Sequence, residues 1–329
     1  MKKILVIGGA GYVGSHQVKL LCNQNYEVVV LDNLNTGYEQ AIDKRAKFIK
    51  GDIKDFKLLC KIFEEEQIEA VMHFAALSLV GVSVNEPLNY YDNNVYGMQV
   101  LLQAMVKQAI KYIIFSSTAA TYGEHEQMPI TEEYLTNPTN PYGETKLAME
   151  KMIKWTAKAH GLKYVSLRYF NVAGDDESGE IGEAHNPETH LIPLVLQAAI
   201  NDKPIKIFGN DYPTEDGTCI RDYIHVTDLV NAHILALEGL FSGNSSDIYN
   251  LGYGHGFSVH EIINTAEKVI GKIIKKELHP RRAGDPAKLI AANDKIIKAL
   301  GWKPQFDDIE VIISSAYKWH KNNPTGYKK

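Results

Sequence analysis

The first 32 residues, "MKKILVIGGAGYVGSHQVKLLCNQNYEVVVLD", leave the chain little choice of fold. "ILVI" is a continuous apolar run, the pattern of a parallel strand buried on both faces. Glycines break it, and a helix from about Gly11 to Asn23 follows, with Val13, Val18, Leu21 and Cys22 on one side. "EVVVLD" then reads as a second strand. The alternation continues with "AKFIKGD" as a strand, "DFKLLCKIFEEEQ" as a helix and "IEAVMHFAA" as a fourth strand. A long helix through "NNVYGMQVLLQAMVKQA" precedes the strand "KYIIFSST", and "NPYGETKLAMEKMIKWTAKAHG" precedes "LKYVSLRYF". Alternation this regular predicts an α/β protein built on a doubly wound parallel sheet with right-handed crossovers.

After Asn171 the rhythm is lost. "NVAGDDESGEIGEAHNPETH" is polar and glycine-rich, a long loop of the kind found at functional sites. A helix ("LIPLVLQAAIND"), a short strand ("IKIFG") and further mixed elements follow. We expect residues 1–171 to form the sheet domain and residues 172–329 a smaller mixed α/β lobe over its carboxyl edge, where open α/β sheets bind ligands. A segment near 222–250, including "IHVTDLVNAHILALEG", is expected to rejoin the first domain.

A formal charge of −5 argues against a nucleic-acid surface, which needs a basic face. Cys22, Cys60 and Cys219 show no C-x-x-C spacing, and one is left over from any pairing, so free thiols in a reducing compartment are expected. The N-terminal apolar run is too short for a signal peptide, and no stretch approaches the ~20 residues that span a bilayer. The sequence therefore reads as cytoplasmic, with no membrane contact. No H-E-x-x-H and no paired Cys/His spacing occurs, so no metal is expected.

"GGAGYVG" places Gly8, Gly11 and Gly14 between the first strand and the first helix. Glycine there lets the backbone approach a pyrophosphate, with the helix N–H groups facing the anion. The second strand ends in Asp32, placed to accept from adenosine ribose hydroxyls. Its carboxylate repels a 2′-phosphate, and the next residues, Asn33 to Gly37, include no Arg or Lys. The cofactor expected is NAD rather than NADP.

Tyr-x-x-x-Lys occurs twice, as Tyr142/Lys146 in "YGETK" and Tyr317/Lys321 in "YKWHK". The first follows the turn and N-cap signals of "NPTNP", and a helix starting there sets both side chains on one face. The strand ending in Ser116, Ser117 and Thr118 brings hydroxyls to the same sheet edge as the glycine turn. A free tyrosine has a pKa near 10, and bringing it to neutrality takes roughly 4–5 kcal/mol, which an adjacent ammonium and a cationic nicotinamide could supply. Tyr317/Lys321 lacks this setting and reads as a solvated helix end in a basic terminal tail.

"GGAGYVGSH", "SST", "YGETK" and "RYFNVAG" resemble the extended short-chain dehydrogenase/reductases. More narrowly, "DNLNTG", "HFAALSLVGVSV", "YYDNNV", "IFGNDYPTEDGTCIRDYIHVTDL" and "PRRAGDPA" resemble the UDP-glucose 4-epimerase family over essentially the whole chain. The fold this implies is Rossmann-type. The 4,6-dehydratases of the superfamily carry an acidic pair where this chain has Ala119 and Ala120.

The resemblance implies that Tyr142 as phenolate removes the sugar 4-OH proton while Thr118 bonds the same region and Lys146 holds the nicotinamide ribose. It implies cofactor contacts at Tyr12, Val13, Asn33, Asn35, Asp52, Ile53, Phe74, Ala75, Leu77, Asn93 and Phe170. Ser78 stands where some relatives have lysine. It implies substrate contacts at Asn171, His190, Leu191 and Phe208, a diphosphate clamp of Arg221 and Arg282, and Asp285 on the uridine ribose. The residue gating an N-acetyl pocket falls at Leu289, with the register open by one; a small side chain there implies that UDP-GlcNAc and UDP-GalNAc enter. A homodimer through the helices around "YYDNNVYGMQVLLQAM" and "KLAMEKMIKW" is also implied. Two other readings stay open at this point, a nucleotide-sugar C4 reductase that releases its cofactor and a non-catalytic NAD-sensing protein.

Overall fold

The computed structural model describes residues 2–282 and 285–327. In chain order its sheet-domain elements are β1 (Lys3–Ile7), α1 (Tyr12–Asn23), β2 (Glu27–Asp32), β3 (Lys47–Lys50), α2 (Phe56–Glu66), β4 (Ala70–His73), α3 (Val80–Asn85), α4 (Pro87–Tyr90), α5 (Gly97–Lys107), β5 (Tyr112–Ser116), α6 (Pro141–His160) and β6 (Lys163–Tyr169). The remainder comprises β7 (Asn171–Ala173), α7 (Leu191–Ile200), β8 (Ile205–Phe208), β9 (Ile220–Arg221), β10 (Tyr223–His225), α8 (Val226–Phe241), β11 (Asp247–Leu251) and β12 (Phe257–Ser258). It ends with α9 (Val259–Ile270), β13 (Lys276–His279), β14 (Lys288–Leu289), α10 (Asp294–Leu300) and α11 (Ile309–Asn322).

Seven strands form one parallel sheet in the order β11-β6-β5-β4-β1-β2-β3. The chain builds outward from β1 to β3, then returns to lay β4 on the other side of β1. That reversal opens a crevice at the carboxyl ends of β1 and β4, where ligands of such sheets sit. Strand pleating sends alternate residues of β1 to opposite faces. Ile4 and Val6 join a core with α1, α7, α8 and α9, whereas Leu5 and Ile7 join one with α2, α5 and α6. All four are at most 1% exposed, so each contributes about 1.5–3 kcal/mol of burial.

The smaller lobe consists of short pairs. β7 and β10 pair in parallel, as do β8 and β13, while β9 lies between antiparallel β12 and parallel β14. No helix among the described residues is long and apolar enough to cross a membrane.

Two expectations change. The helix expected through "NNVYGMQVLLQAM" is continuous in path but opens into a π turn over Tyr91–Tyr96 before α5. The terminal segment is docked rather than solvated. "YKWHK" closes α11, where Trp319 is 1% exposed and His320 4%. Tyr327 packs on Trp319 and Tyr38, and its hydroxyl donates to Gly182 O at 3.2 Å. Aromatic residues in a basic segment buried their rings and left the ammonium groups outside. Lys328 and Lys329 of that tail lie outside the described residues.

Candidate active site

The glycine turn is built by three close approaches with different causes. Gly8 has φ +81°, and a Cβ there would lie 2.5 Å from Ala75 N at the end of β4. A Cβ on Gly14 would lie 2.1 Å from Gly8 O, so the first turn of α1 packs directly on the loop. Gly11, the N-cap of α1, is different: a Cβ would meet only Gly8 O at an ordinary 3.5 Å. The protein itself does not require glycine at that point, but it faces the cavity, and a pyrophosphate on the helix N-terminus would. Asp32 closes β2 with its oxygens accepting from Ala10 N at 3.0 Å and Leu34 N at 2.8 Å. Both oxygens keep a further lone pair for ribose hydroxyls. The residues present therefore fit NAD.

The cavity is a single cleft of 1080 Å³ running from this turn across the sheet edge to the smaller lobe. Along the cofactor side it is lined by Tyr12, Val13, Asn33, Asn35, Ile53, Phe74, Ala75, Leu77, Ser78 and Asn93. Asp52 is not among the lining residues; its carboxylate accepts from Asn33 Nδ2 at 3.1 Å and Lys54 N at 2.9 Å, which orients Asn33.

At the middle of the cleft, Asn140 accepts from Gly143 N at 2.9 Å and Pro141 occupies the first turn, so α6 starts where the turn signals place it. Tyr142 and Lys146 then line the cleft together with Thr118, Phe170 and Asn171. The Thr118 hydroxyl stands close enough to the Tyr142 phenol to favour its ionised form. Lys146 Nζ donates to Ser116 O at 2.8 Å and stands 6.0 Å from the Tyr142 ring centre. In the chain alone burial pushes the Tyr142 phenol up, and Thr118 offsets only part of that. Burial also lowers Lys146 to about 7, while Glu150 opposes the fall. The protein alone thus presents a desolvated phenol and a desolvated amine. The positive charge that favours the phenolate has to come with the cofactor ring.

Glu150, one turn beyond Lys146, is a residue the motif did not name. It forms a buried pair with Arg168 (2.5 Å) and accepts from Ser117 Oγ at 2.5 Å, tying α6 to β6 and to the strand-end hydroxyls. The i+4 spacing from Lys146 was the available signal. Asn94 was also missed. It is 1% exposed and clasps Leu77 N at 2.9 Å and Thr145 Oγ1 at 3.0 Å, joining the wall after β4 to α6.

The smaller lobe supplies His190, Leu191, Phe208, Arg221, Arg282, Asp285 and Leu289 to the far end of the cleft. Arg282 lies over the Phe208 ring at 4.0 Å. Arg221 donates to Pro286 O at 2.8 Å and reaches Asp285 at 3.4 Å, so its fork is already oriented. Leu289 pairs with Arg221 across β14 and β9. His190 lines the cleft, but its Nδ1 contacts the Glu183 carboxylate, so that nitrogen does not face a substrate. Tyr317 and Lys321 lie on α11 and are not among the lining residues.

A phenol, a hydroxyl and an amine grouped at the carboxyl edge of a dinucleotide-type sheet suit proton removal from an alcohol whose carbon gives up a hydride. Such chemistry is reversible oxidation of an alcohol with a nicotinamide as the hydride partner. Residues 4–252 match the NAD dependent epimerase/dehydratase family, and the chain belongs to that family. It is 55% identical over 325 residues to the UDP-glucose 4-epimerase of Lacticaseibacillus casei, covering 98% of each chain. A solved UDP-glucose 4-epimerase superposes with a TM-score of 0.98 at 56% identity and full coverage of both chains. The Bifidobacterium longum UDP-glucose 4-epimerase, solved with NAD+ and UDP, gives a TM-score of 0.93 at 40% identity, covering 99% of this chain and 100% of that one.

Proposed function

We infer that the protein interconverts UDP-glucose and UDP-galactose by reversible epimerisation at sugar C4, with NAD held throughout. The observation that carries this is the wall beside Thr118, where Ala119 and Ala120 bring methyl groups, not carboxylates, to the cleft that also holds Tyr142 and Lys146. Without an acid there, a 4-keto sugar has no group to drive loss of water, and return of hydride is the remaining course. NAD, which the glycine turn and Asp32 would hold, would supply a reversible hydride acceptor beside C4. Tyr142 removes the 4-OH proton and later gives it back, and Thr118 holds the phenol in place. Lys146, fixed by Ser116 O, holds the nicotinamide ribose. Arg221 and Arg282 clamp the diphosphate by charge-assisted bonds, so that UDP stays while the sugar turns over.

Purified protein given UDP-galactose and no added nicotinamide should make UDP-glucose. A stoichiometric NADH requirement would instead identify a C4 reductase. UDP-GlcNAc and UDP-GalNAc are proposed as further substrates, since Leu289 leaves more room than an aromatic gate, and the same assay with UDP-GalNAc checks this. We propose a cytoplasmic homodimer. Leu88, Tyr91, Tyr96 and Trp155, on the helices that the resemblance singles out, are 80%, 43%, 47% and 65% exposed. Light scattering should give twice the 36.8 kDa chain mass.

A further inference from the structure

The polar loop after β7 carries Glu183, His185, Glu188 and His190, and one ligand atom from each lies within 4.8 Å of the others. Glu183 Oε1 is 3.2 Å from His185 Nδ1, and Glu188 Oε2 is 3.6 Å from the same nitrogen. His190 Nδ1 contacts Glu183 Oε1 directly. Four ligands bound tetrahedrally at zinc distances stand about 3.4 Å apart; the two His185 separations match such edges, while the His190–Glu183 contact is shorter than one and would have to open around an ion.

The carboxylates form the deep side of the cluster. The Glu183 and Glu188 side chains are 3% and 5% exposed, and buried carboxylates are costly without nearby positive charge. Two imidazolium rings could provide it. They would leave Glu188 Oε2 outside hydrogen-bond reach of His185, and that oxygen has no hydrogen-bond partner among the described residues. Asp175 Oδ2 is likewise unpartnered, while its other oxygen accepts from Glu183 N at 2.7 Å and fixes the loop that carries the cluster. A cation among the four donors satisfies Glu188 Oε2 directly.

We propose that Glu183, His185, Glu188 and His190 bind one divalent transition-metal ion, zinc by donor set and coordination number. Two imidazoles disfavour magnesium and calcium, which prefer all-oxygen shells. Four protein ligands leave no open position, so the ion is structural. Its place in the fold gives it a task. His190 immediately precedes α7, whose first residue, Leu191, lines the cleft, and His185 packs edge-on against Tyr12 of the glycine turn. The ion would brace the substrate wall against the cofactor turn.

The test uses full-length protein prepared without a histidine tag. Elemental analysis should find about one zinc per chain. Metal-free protein titrated with zinc against a chromophoric chelator should bind about 100-fold more tightly than His185→Ala or Glu188→Gln. His160→Ala, at the exposed end of α6, serves as control and should match the wild type. Cobalt added to metal-free wild type, which requires no variant to fold, should give the intense visible bands of a four-coordinate ion. A weak six-coordinate spectrum, no zinc binding at micromolar free metal, or equal affinity in His185→Ala would overturn the proposal and leave an ion-pair network.

Discussion

At the residue scale, two glycines one turn apart serve different ends. Gly14→Ala would drive a methyl to 2.1 Å from Gly8 O, so it should lower the melting temperature sharply and cost the protein its NAD as well. Gly11→Ala meets only an ordinary 3.5 Å contact and should fold with a near-normal melting temperature yet lose bound NAD. Thermal melts paired with nucleotide released on denaturation separate the two. Tyr142 is the other residue on which the account turns. Tyr142→Phe keeps the ring and removes the proton acceptor, so turnover should fall by about 10²–10⁴ while UDP affinity, read by calorimetry, stays within a factor of a few. Unchanged turnover would remove Tyr142 from its role.

At the scale of elements, α6 is the piece that couples fold to chemistry. It starts at a proline-asparagine cap, presents Tyr142 and Lys146 to the cleft, and one turn later anchors itself to β6 through Glu150 and Arg168. Both of those side chains are at most 5% exposed. Glu150→Ala leaves a buried guanidinium unpaired and should cost about 3–5 kcal/mol in denaturant melts. A loss within experimental error would show that Arg168 finds water or another acceptor. The start of α6 was legible because caps and i,i+4 spacing are local. The short strands of the smaller lobe were less so. β11 carries Asp247 and Asn250 in five residues, so no apolar run marks it, and only long-range pairing with β6 makes it part of the sheet. The Glu/His cluster on the loop before α7 was missed for a related reason: its spacing matches none of the familiar helical or knuckle patterns, and only the folded loop brings the four donors together.

At the scale of the molecule, burial sets the charge states. His73 sits at the end of β4, 1% exposed, with neither ring nitrogen hydrogen-bonded among the described residues. Burial, helped by the Lys146 charge, lowers it to about 3 from an ordinary 6.5. The unfolded chain therefore binds the proton first as pH falls, and native stability is lost from about pH 6.5 downward, by up to about 1.4 kcal/mol per pH unit. His73→Leu removes that loss, so it should gain on the wild type as melts move from pH 7.5 to pH 5. A constant difference would mean that His73 takes up its proton alike in the folded and unfolded chains. The same desolvation acts in the candidate cleft, where it raises Tyr142 and lowers Lys146. That is why the motif could place the pair but not its protonation state: spacing along a helix says which side chains meet, and depth of burial decides what charge they carry.

In the proposed reaction one hydride leaves C4 and returns to C4 of the same sugar without leaving the protein. The most direct measurement supplies UDP-galactose deuterated at C4, in ordinary water and with no added nicotinamide, and reads the UDP-glucose formed by mass spectrometry and proton NMR. In that reaction deuterium should be retained at C4 of the product. Protium at that position would contradict it, because the hydride would then have come from outside the closed cycle.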